Sequence, residues 1–321
     1  MATGGPEGDP STKRPNRWVL GARPRTLPAA VVPVLVGTAC AWNHDVGGGW
    51  FNYAPQRTRS IDWLNFVMAL VVALALQIAT NYANDYSDGK RGTDDPSKRV
   101  GPPRLVGNGL ATAAEVKRAM MIAFGVALAA GGVLVLRVGW ELIPVGIAAV
   151  AAGYFYTGGP KPYGYLGLGE AFVFVFFGLV ATTGSTYVQL GEITWVSFGC
   201  AVMVGCFATA LLVVNNLRDI PGDTVSGKRT LAVKLGDQRT RVLYAVLMVA
   251  PFLILPFVAG LGGAPVGSLA FAAVMVATPP VRTVLGGASG MGLIPVLGGT
   301  GKAQMAFGVL LAAGLIISTY I

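Results

Sequence analysis

A chain of 321 residues that is 53% hydrophobic and only 12% charged is not an ordinary soluble domain. Its mean hydropathy is positive, and apolar runs of about 18 residues or more recur along it, as expected of transmembrane helices; one soluble core cannot bury so many. The net charge of +9 would suit nucleic acid, but the basic residues are distributed by topology, so no nucleic-acid partner is expected.

In chain order, residues 1–16 are polar and rich in Gly and Pro, read as a disordered tail with no secretory signal peptide. Residues 17–321 read as a single transmembrane domain, all-α and polytopic. Nine spans are expected, at roughly 28–44, 63–84, 116–136, 139–157, 169–190, 194–215, 240–260, 264–281 and 303–321. Most connections are short, which suits a bundle of sequential neighbours. Cys40, Cys200 and Cys206 lie inside apolar segments and read as small hydrophobes, with neither disulfide nor metal-ligand spacing. Alternate sides of these spans receive 21 and three of the 24 Lys and Arg residues; only Arg57, Arg59 and Arg137 fall on the sparse side. The positive-inside rule therefore makes the N-terminus cytoplasmic and leaves the C-terminus outside.

Two connections are long, at about 85–115 and 216–239, and both fall on the cytoplasmic side as cap loops. They hold six of the fifteen acidic residues, Asp85, Asp88, Asp94, Asp95, Asp219 and Asp223. Long loops in compact domains are commonly functional or disordered, and these two resemble each other. NDYSD (84–88) precedes GKRG, and NNLRD (215–219) precedes GKRT. Residues four apart share a helical face, so Asn84 points with Asp88, and Asn215 with Asp219 and Asp223. A divergent internal repeat follows, with spans two and six facing each other across a cavity.

Carboxylate and amide oxygens are hard ligands suited to Mg²⁺ or Ca²⁺. An EF-hand pattern fails, because counting from Asp85 gives Ser87 and Gly89 at its third and fifth positions. The one histidine, His44, lies on the opposite side, which argues against zinc and redox metals. Mg²⁺ is usually held by one or two carboxylates with substrate phosphates completing its shell. Facing Asp clusters with Arg91, Arg104, Lys228 and Arg229 nearby suit a metal-bridged diphosphate, whose departure they would stabilise. A charge run at a membrane boundary is ordinarily a solvated face, but two matching clusters on one side argue against that reading. Asp95 and Asp237 do read as solvated loop residues.

The stretch YFYTGGPKPYGYLGLGE (154–170) ends span four on the same side. Tyrosines mark membrane interfaces, yet Tyr154, Tyr156, Tyr163 and Tyr165 together would also stack on an aromatic substrate or stabilise a cation. Phe172, Phe174, Phe176 and Phe177 read as packing or lipid-facing residues.

NDYSD and NNLRDIPGD resemble the two Asp-rich motifs of the UbiA superfamily of intramembrane prenyltransferases. Residues 22–39, 81–110, 154–170 and 215–236 resemble its 1,4-dihydroxy-2-naphthoate polyprenyltransferase branch, the MenA-type enzymes of menaquinone biosynthesis. The resemblance implies a nine-helix bundle in a bacterial cytoplasmic membrane, with the active site facing the cytoplasm. It implies Mg²⁺, two ions bridging the diphosphate, held by Asp85, Asp88, Asp94, Asp219 and Asp223. Asp88, Asp219, Asp223 and Lys228 would act on the leaving group, with Asn84, Asn215, Arg91, Arg104 and Arg229 binding substrate. Tyr154 and Tyr156 would contact the acceptor ring, and Arg23, Arg25 and Lys161 its carboxylate, although each of these three cations also suits a snorkelling role. The implied reaction ionises a polyprenyl diphosphate and attaches its allylic carbon to dihydroxynaphthoate with loss of CO₂, giving demethylmenaquinone. In one departure, the place of the third acidic residue of the first motif is held by Gly92; the nearest candidates are Asp94 and Asp95, of which Asp94 is taken. Rival readings are a UbiA-type transferase with another acceptor, whether aromatic, haem or phospholipid headgroup, and a secondary transporter with an inverted repeat.

Overall fold

The computed structural model describes residues 16–44, 60–92, 101 and 103–321; these are helical, with no strand among them. Ten helical elements follow one another: α1 (Arg17–Ala22), α2 (Pro28–Asn43), α3 (Trp63–Arg91), α4 (Ala113–Arg137), α5 (Leu142–Phe155), α6 (Gly169–Leu190), α7 (Trp195–Val225), α8 (Leu231–Leu261), α9 (Pro265–Leu285) and α10 (Leu293–Ile317). Each of the nine expected spans falls on one of α2 to α10. Among the described residues seven helices are long and apolar enough to cross a membrane, and an eighth span is counted if the pair Arg17–Thr26 and Pro28–Asn43, bent by 51°, is one. The bend has a local cause. Arg23 is left-handed (φ 54°), and Pro24 and Pro28 start new helical turns without an N–H to continue the old ones. The expected fourth span, α5, has 14 residues, about 21 Å of helix against a hydrocarbon core of about 30 Å.

Helix ends follow from capping chemistry. The side chain of Asp62 accepts from Asn65 N at 3.0 Å at the start of α3, and Thr112 with Glu115 forms a capping box on α4. Two ends differ from expectation. The expected cap loops begin at about 85 and 216, yet α3 runs to Arg91 and α7 to Val225, so both acidic motifs are helical throughout. Polar side chains do not end a helix; α3 stops where Gly92 adopts a left-handed conformation (φ 68°) and its N–H returns to the carbonyls of Asp88 and Gly89.

Among the described residues, two packed regions are the largest in the bundle. The larger joins α2, α7, α8, α9 and α10 around Phe207, Phe252 and Phe307, whose rings lie 5.1–6.0 Å apart, and it contains Cys40 and Cys200. The smaller joins α3 and α4 with the segment after α3, through Tyr82, Leu105, Val116, Met120 and Phe124. Over its most apolar window, α7 is 72% buried and α3 only 22%. Thus α7 is the axis of the bundle, and α3 faces lipid and the cavity. Trp63, Trp140 and Trp195 are exposed at helix starts opposite the acidic motifs, as an interfacial aromatic belt would be. Beside them, Arg137 ties α4 to Asp62 (2.6 Å) and Asn65 (2.8 Å).

Part of α6, Phe174–Val180, is π-helical, and there it presses on α7. A Cβ built on Gly178 would lie 2.5 Å from Gly205 Cα, so only glycine permits this approach. Gly178→Leu is expected to destabilise the protein by about 1–3 kcal/mol through overpacking, read as a lower apparent melting temperature in detergent.

Candidate active site

A cavity of about 680 Å³ lies inside the bundle, with its polar end at the motif end of α3 and α7. Asn84 and Asp88 line it from α3, Asn215, Asp219 and Asp223 from α7, and Lys228 from the turn between α7 and α8. The repeat thus brings its two polar faces to one space. Arg23, Arg104, Tyr156, Tyr163 and Tyr165 complete the polar end.

Asp88 and Asp219 each have their own compensation. Asp88 accepts a hydrogen bond from the Tyr165 hydroxyl and one from Lys228 Nζ at 3.1 Å. Lys228 Nζ lies 4.8 Å from the centroid of the Tyr165 ring. Burial, the largest influence on Lys228, disfavours its charge; Asp88, Tyr165 and Asp223 together outweigh it and hold the ammonium above the usual lysine range. Asp219 is gripped by its neighbour Arg218 through two 2.7 Å bonds, and the same guanidinium reaches Asn215 Oδ1 at 2.9 Å. Asn84 Oδ1 accepts from Thr157 at 2.8 Å.

Asp85, expected as a metal ligand, is buried and is not among the residues lining the cavity. Its carboxylate accepts from Arg23 at 3.3 Å, Arg104 at 3.2 Å and the Leu105 N–H at 3.3 Å. It therefore fastens the elbow before α2 and the segment after α3 to α3. Arg91 donates to the carbonyls of Thr157 and Gly159 and lies 5.4 Å from the Tyr165 ring centroid, which holds the turn after α5 in position. The Arg229 side chain is exposed, while its N–H donates to Tyr165 O at 3.0 Å. Arg25 and Lys161 are exposed, and Tyr154 packs against Phe155; none of the three lines the cavity. Asp94 lies outside the described residues.

Three participants escaped the sequence reading. Arg218 looked like one more cytoplasmic charge, although its place inside NNLRD was a signal. Thr157 and Glu170 were visible only as members of the tyrosine-rich stretch. Among the described residues no three His, Cys, Asp or Glu side chains come together as a ready-made metal cage. That fits Mg²⁺, which takes one or two carboxylates and completes its shell from substrate phosphates; Asp88, Asp219 and Asp223 with the amides of Asn84 and Asn215 are the oxygen donors that would serve.

An apolar arm continues from this polar end past Leu76, Ala73 and Ala69 of α3 to Leu134, Leu142 and Val188 near the opposite face. Fold and site together define a polytopic membrane protein with an acid-lined cavity inside its bundle. The chain belongs to the UbiA prenyltransferase family, whose profile matches residues 46–285. A 1,4-dihydroxy-2-naphthoate octaprenyltransferase of Mycobacterium tuberculosis is 46% identical over 93% of this chain and 96% of the relative. The enzyme of that name from Bacillus subtilis is 31% identical over 94% and 93%. A UbiA homologue from Archaeoglobus fulgidus, solved with DMAPP and Mg²⁺, shares the fold with a TM-score of 0.62 at 13% identity, covering 93% of this chain and 99% of that one.

Removing one partner of a buried ion pair leaves the other charge uncompensated, at a cost of roughly 3–5 kcal/mol. Asp85→Ala, which takes a buried carboxylate from Arg23 and Arg104 together, is therefore expected to lower the apparent melting temperature by more than Asp223→Ala does. Equal stability of the two variants would contradict the fastening role of Asp85.

Proposed function

We propose that this protein transfers a polyprenyl group from polyprenyl diphosphate to 1,4-dihydroxy-2-naphthoate, releasing diphosphate and CO₂ and giving demethylmenaquinone in its reduced form. One observation carries the reading: the Asn and Asp side chains of two distant helices meet at the polar end of a cavity whose other end is apolar. Diphosphate belongs to the first and the isoprenoid tail to the second. From Asp88 to Ala69 the cavity follows α3 for 20 residues, a rise of about 28 Å. Leu128 and Ile147 line it and are also 57% and 64% exposed, so a long tail has a lateral way out to lipid. The relatives bearing the naphthoate name support the choice of acceptor.

In the reaction the allylic C–O bond breaks and its electron pair leaves with diphosphate. The ring carbon bearing the carboxylate bonds the allylic carbon, and the carboxylate then departs as CO₂, returning its pair to the ring. Mg²⁺, of which we propose two ions, would supply charge neutralisation for the departing diphosphate at Asp88, Asp219 and Asp223. Lys228, held charged beside Asp88, supplies a further cation at the same end. Arg23 and Arg104 offer donors for an anionic group of substrate, and Tyr156, Tyr163 and Tyr165 a face for the ring and the cation. The apolar walls keep water from an intermediate that water destroys. We also infer a cytoplasmic site in a bacterial cytoplasmic membrane, supported by the 21-to-three asymmetry of basic residues.

Purified protein in detergent with dihydroxynaphthoate, a prenyl diphosphate and Mg²⁺ is expected to yield the decarboxylated prenyl product by mass, and no product from 4-hydroxybenzoate. Asp88→Asn and Asp219→Asn are each expected to lower Mg²⁺-dependent diphosphate release at least 100-fold, on the scale of losing a main electrostatic stabiliser. Turnover of 4-hydroxybenzoate alone would overturn the acceptor; unchanged release in both variants would overturn the site.

A further inference from the structure

Beside the cavity is a buried carboxylate that belongs to neither acidic motif. Glu170, in the first turn of α6, is only 6% exposed. A helix N-terminus favours negative charge, but burying a carboxylate is costly unless hydrogen bonds compensate it. Glu170 Oε1 accepts from Asn216 Nδ2 at 2.9 Å. Asn216 is itself buried and yet lines the cavity.

This bond fixes the orientation of the amide. In it the amide turns its NH₂ toward a carboxylate oxygen that accepts; the reverse orientation would set the amide oxygen against that acceptor. With its NH₂ engaged there, Asn216 is left with Oδ1, an acceptor, for the cavity. The position is also telling within the repeat. Asn216 follows Asn215 as Asp85 follows Asn84, and in both motifs this second residue bonds a flanking segment: Asp85 bonds Arg23 and Arg104, Asn216 bonds Glu170. The difference is that Asn216 keeps one atom for the cavity.

The surroundings suit an aromatic ring. Tyr156 and Tyr163 meet edge to face at 5.5 Å, Tyr163 stacks on Phe172 at 4.0 Å, and all three line the cavity. The Tyr156 hydroxyl is close to the start of α6, since a Cβ on Gly169 would lie 3.5 Å from it. We propose that Glu170 is a positioning residue for the acceptor: it locks the Asn216 amide so that Oδ1 accepts the hydrogen bond of a ring hydroxyl on a phenolic acceptor lying against this aromatic wall. Such a bond draws the hydroxyl proton outward and enriches the ring that attacks. The inference rests on the aromatic-acceptor reading above and adds to it the residue pair that orients the ring.

Steady-state kinetics on the full-length protein in nanodiscs tests it. Glu170→Ala is expected to raise KM for the acceptor about tenfold, the scale of one well-placed hydrogen bond, with KM for prenyl diphosphate within about twofold. Glu170→Gln is expected to keep the acceptor KM within about twofold of wild type, because its carbonyl oxygen accepts the same Asn216 bond. Asn216→Asp faces one carboxylate with another and should lose acceptor affinity; combining it with Glu170→Gln exchanges donor and acceptor and should restore it. Equal defects in Glu170→Gln and Glu170→Ala would overturn the lock, as would KM changes shared by both substrates, or an unaltered Glu170→Ala. If Glu170→Ala does not fold, recovery in the double variant over Asn216→Asp decides the matter, and lack of recovery refutes the lock. A wild type that uses another phenol in place of dihydroxynaphthoate would refute the proposed acceptor, and the same variants measured with that phenol would still decide the role of Glu170.

Discussion

Carboxylates at the end of an apolar bundle must be compensated, and the compensation of Asp85, Asp88 and Asp219 organises the segments around the cavity. Asp85 draws in Arg23 from the elbow before α2 and Arg104 from the segment after α3. Asp88 draws in Lys228 from the turn between α7 and α8, and Tyr165 from the turn between α5 and α6. Asp219 is served by Arg218 on its own helix. Buried ion pairs add little net stability, because desolvation offsets attraction. Their effect here is positional: four segments between the long helices are fastened to the motif end of α3.

This arrangement also has a functional consequence. Of the three carboxylates, Asp85 faces protein and Asp88 and Asp219 line the cavity. The first serves architecture, and the other two serve whatever binds. Lys228 and Arg218 then keep the cavity carboxylates from repelling each other before an anionic substrate and its metal arrive. The second motif position repeats the division of labour on the other helix, where Asn216 bonds Glu170.

Much of this was legible in the sequence. Long apolar runs located the helices, and the Asn-x-x-x-Asp repeat foretold that α3 and α7 would share a cavity, since four-residue spacing fixes a helical face whatever the tertiary context. Helix ends were less legible: polar side chains mimic loop composition, and only Gly92 marks where α3 stops. The brevity of α5 and the π-helical stretch of α6 depend on how neighbouring helices pack. Arg91 and Arg229 were expected to bind substrate because they are basic and near the motifs. In the structure the Arg91 guanidinium holds two carbonyls, and the Arg229 N–H donates to Tyr165 while its side chain is exposed. Charge and proximity in sequence do not say which way a flexible side chain turns. Glu170 was hidden for the complementary reason, since its partner lies 46 residues away.

We propose that the two motif helices form one site, each supplying part of the ligand set for a metal-bound diphosphate. Uptake of Mn²⁺, followed by the electron paramagnetic resonance of the free ion in the presence of an unreactive prenyl thiodiphosphate, measures this directly. Tight uptake should require the diphosphate and should be lost in Asp88→Asn and Asp219→Asn separately, with the protein still folded. Wild-type uptake in either variant would mean that one helix suffices, and would contradict the account.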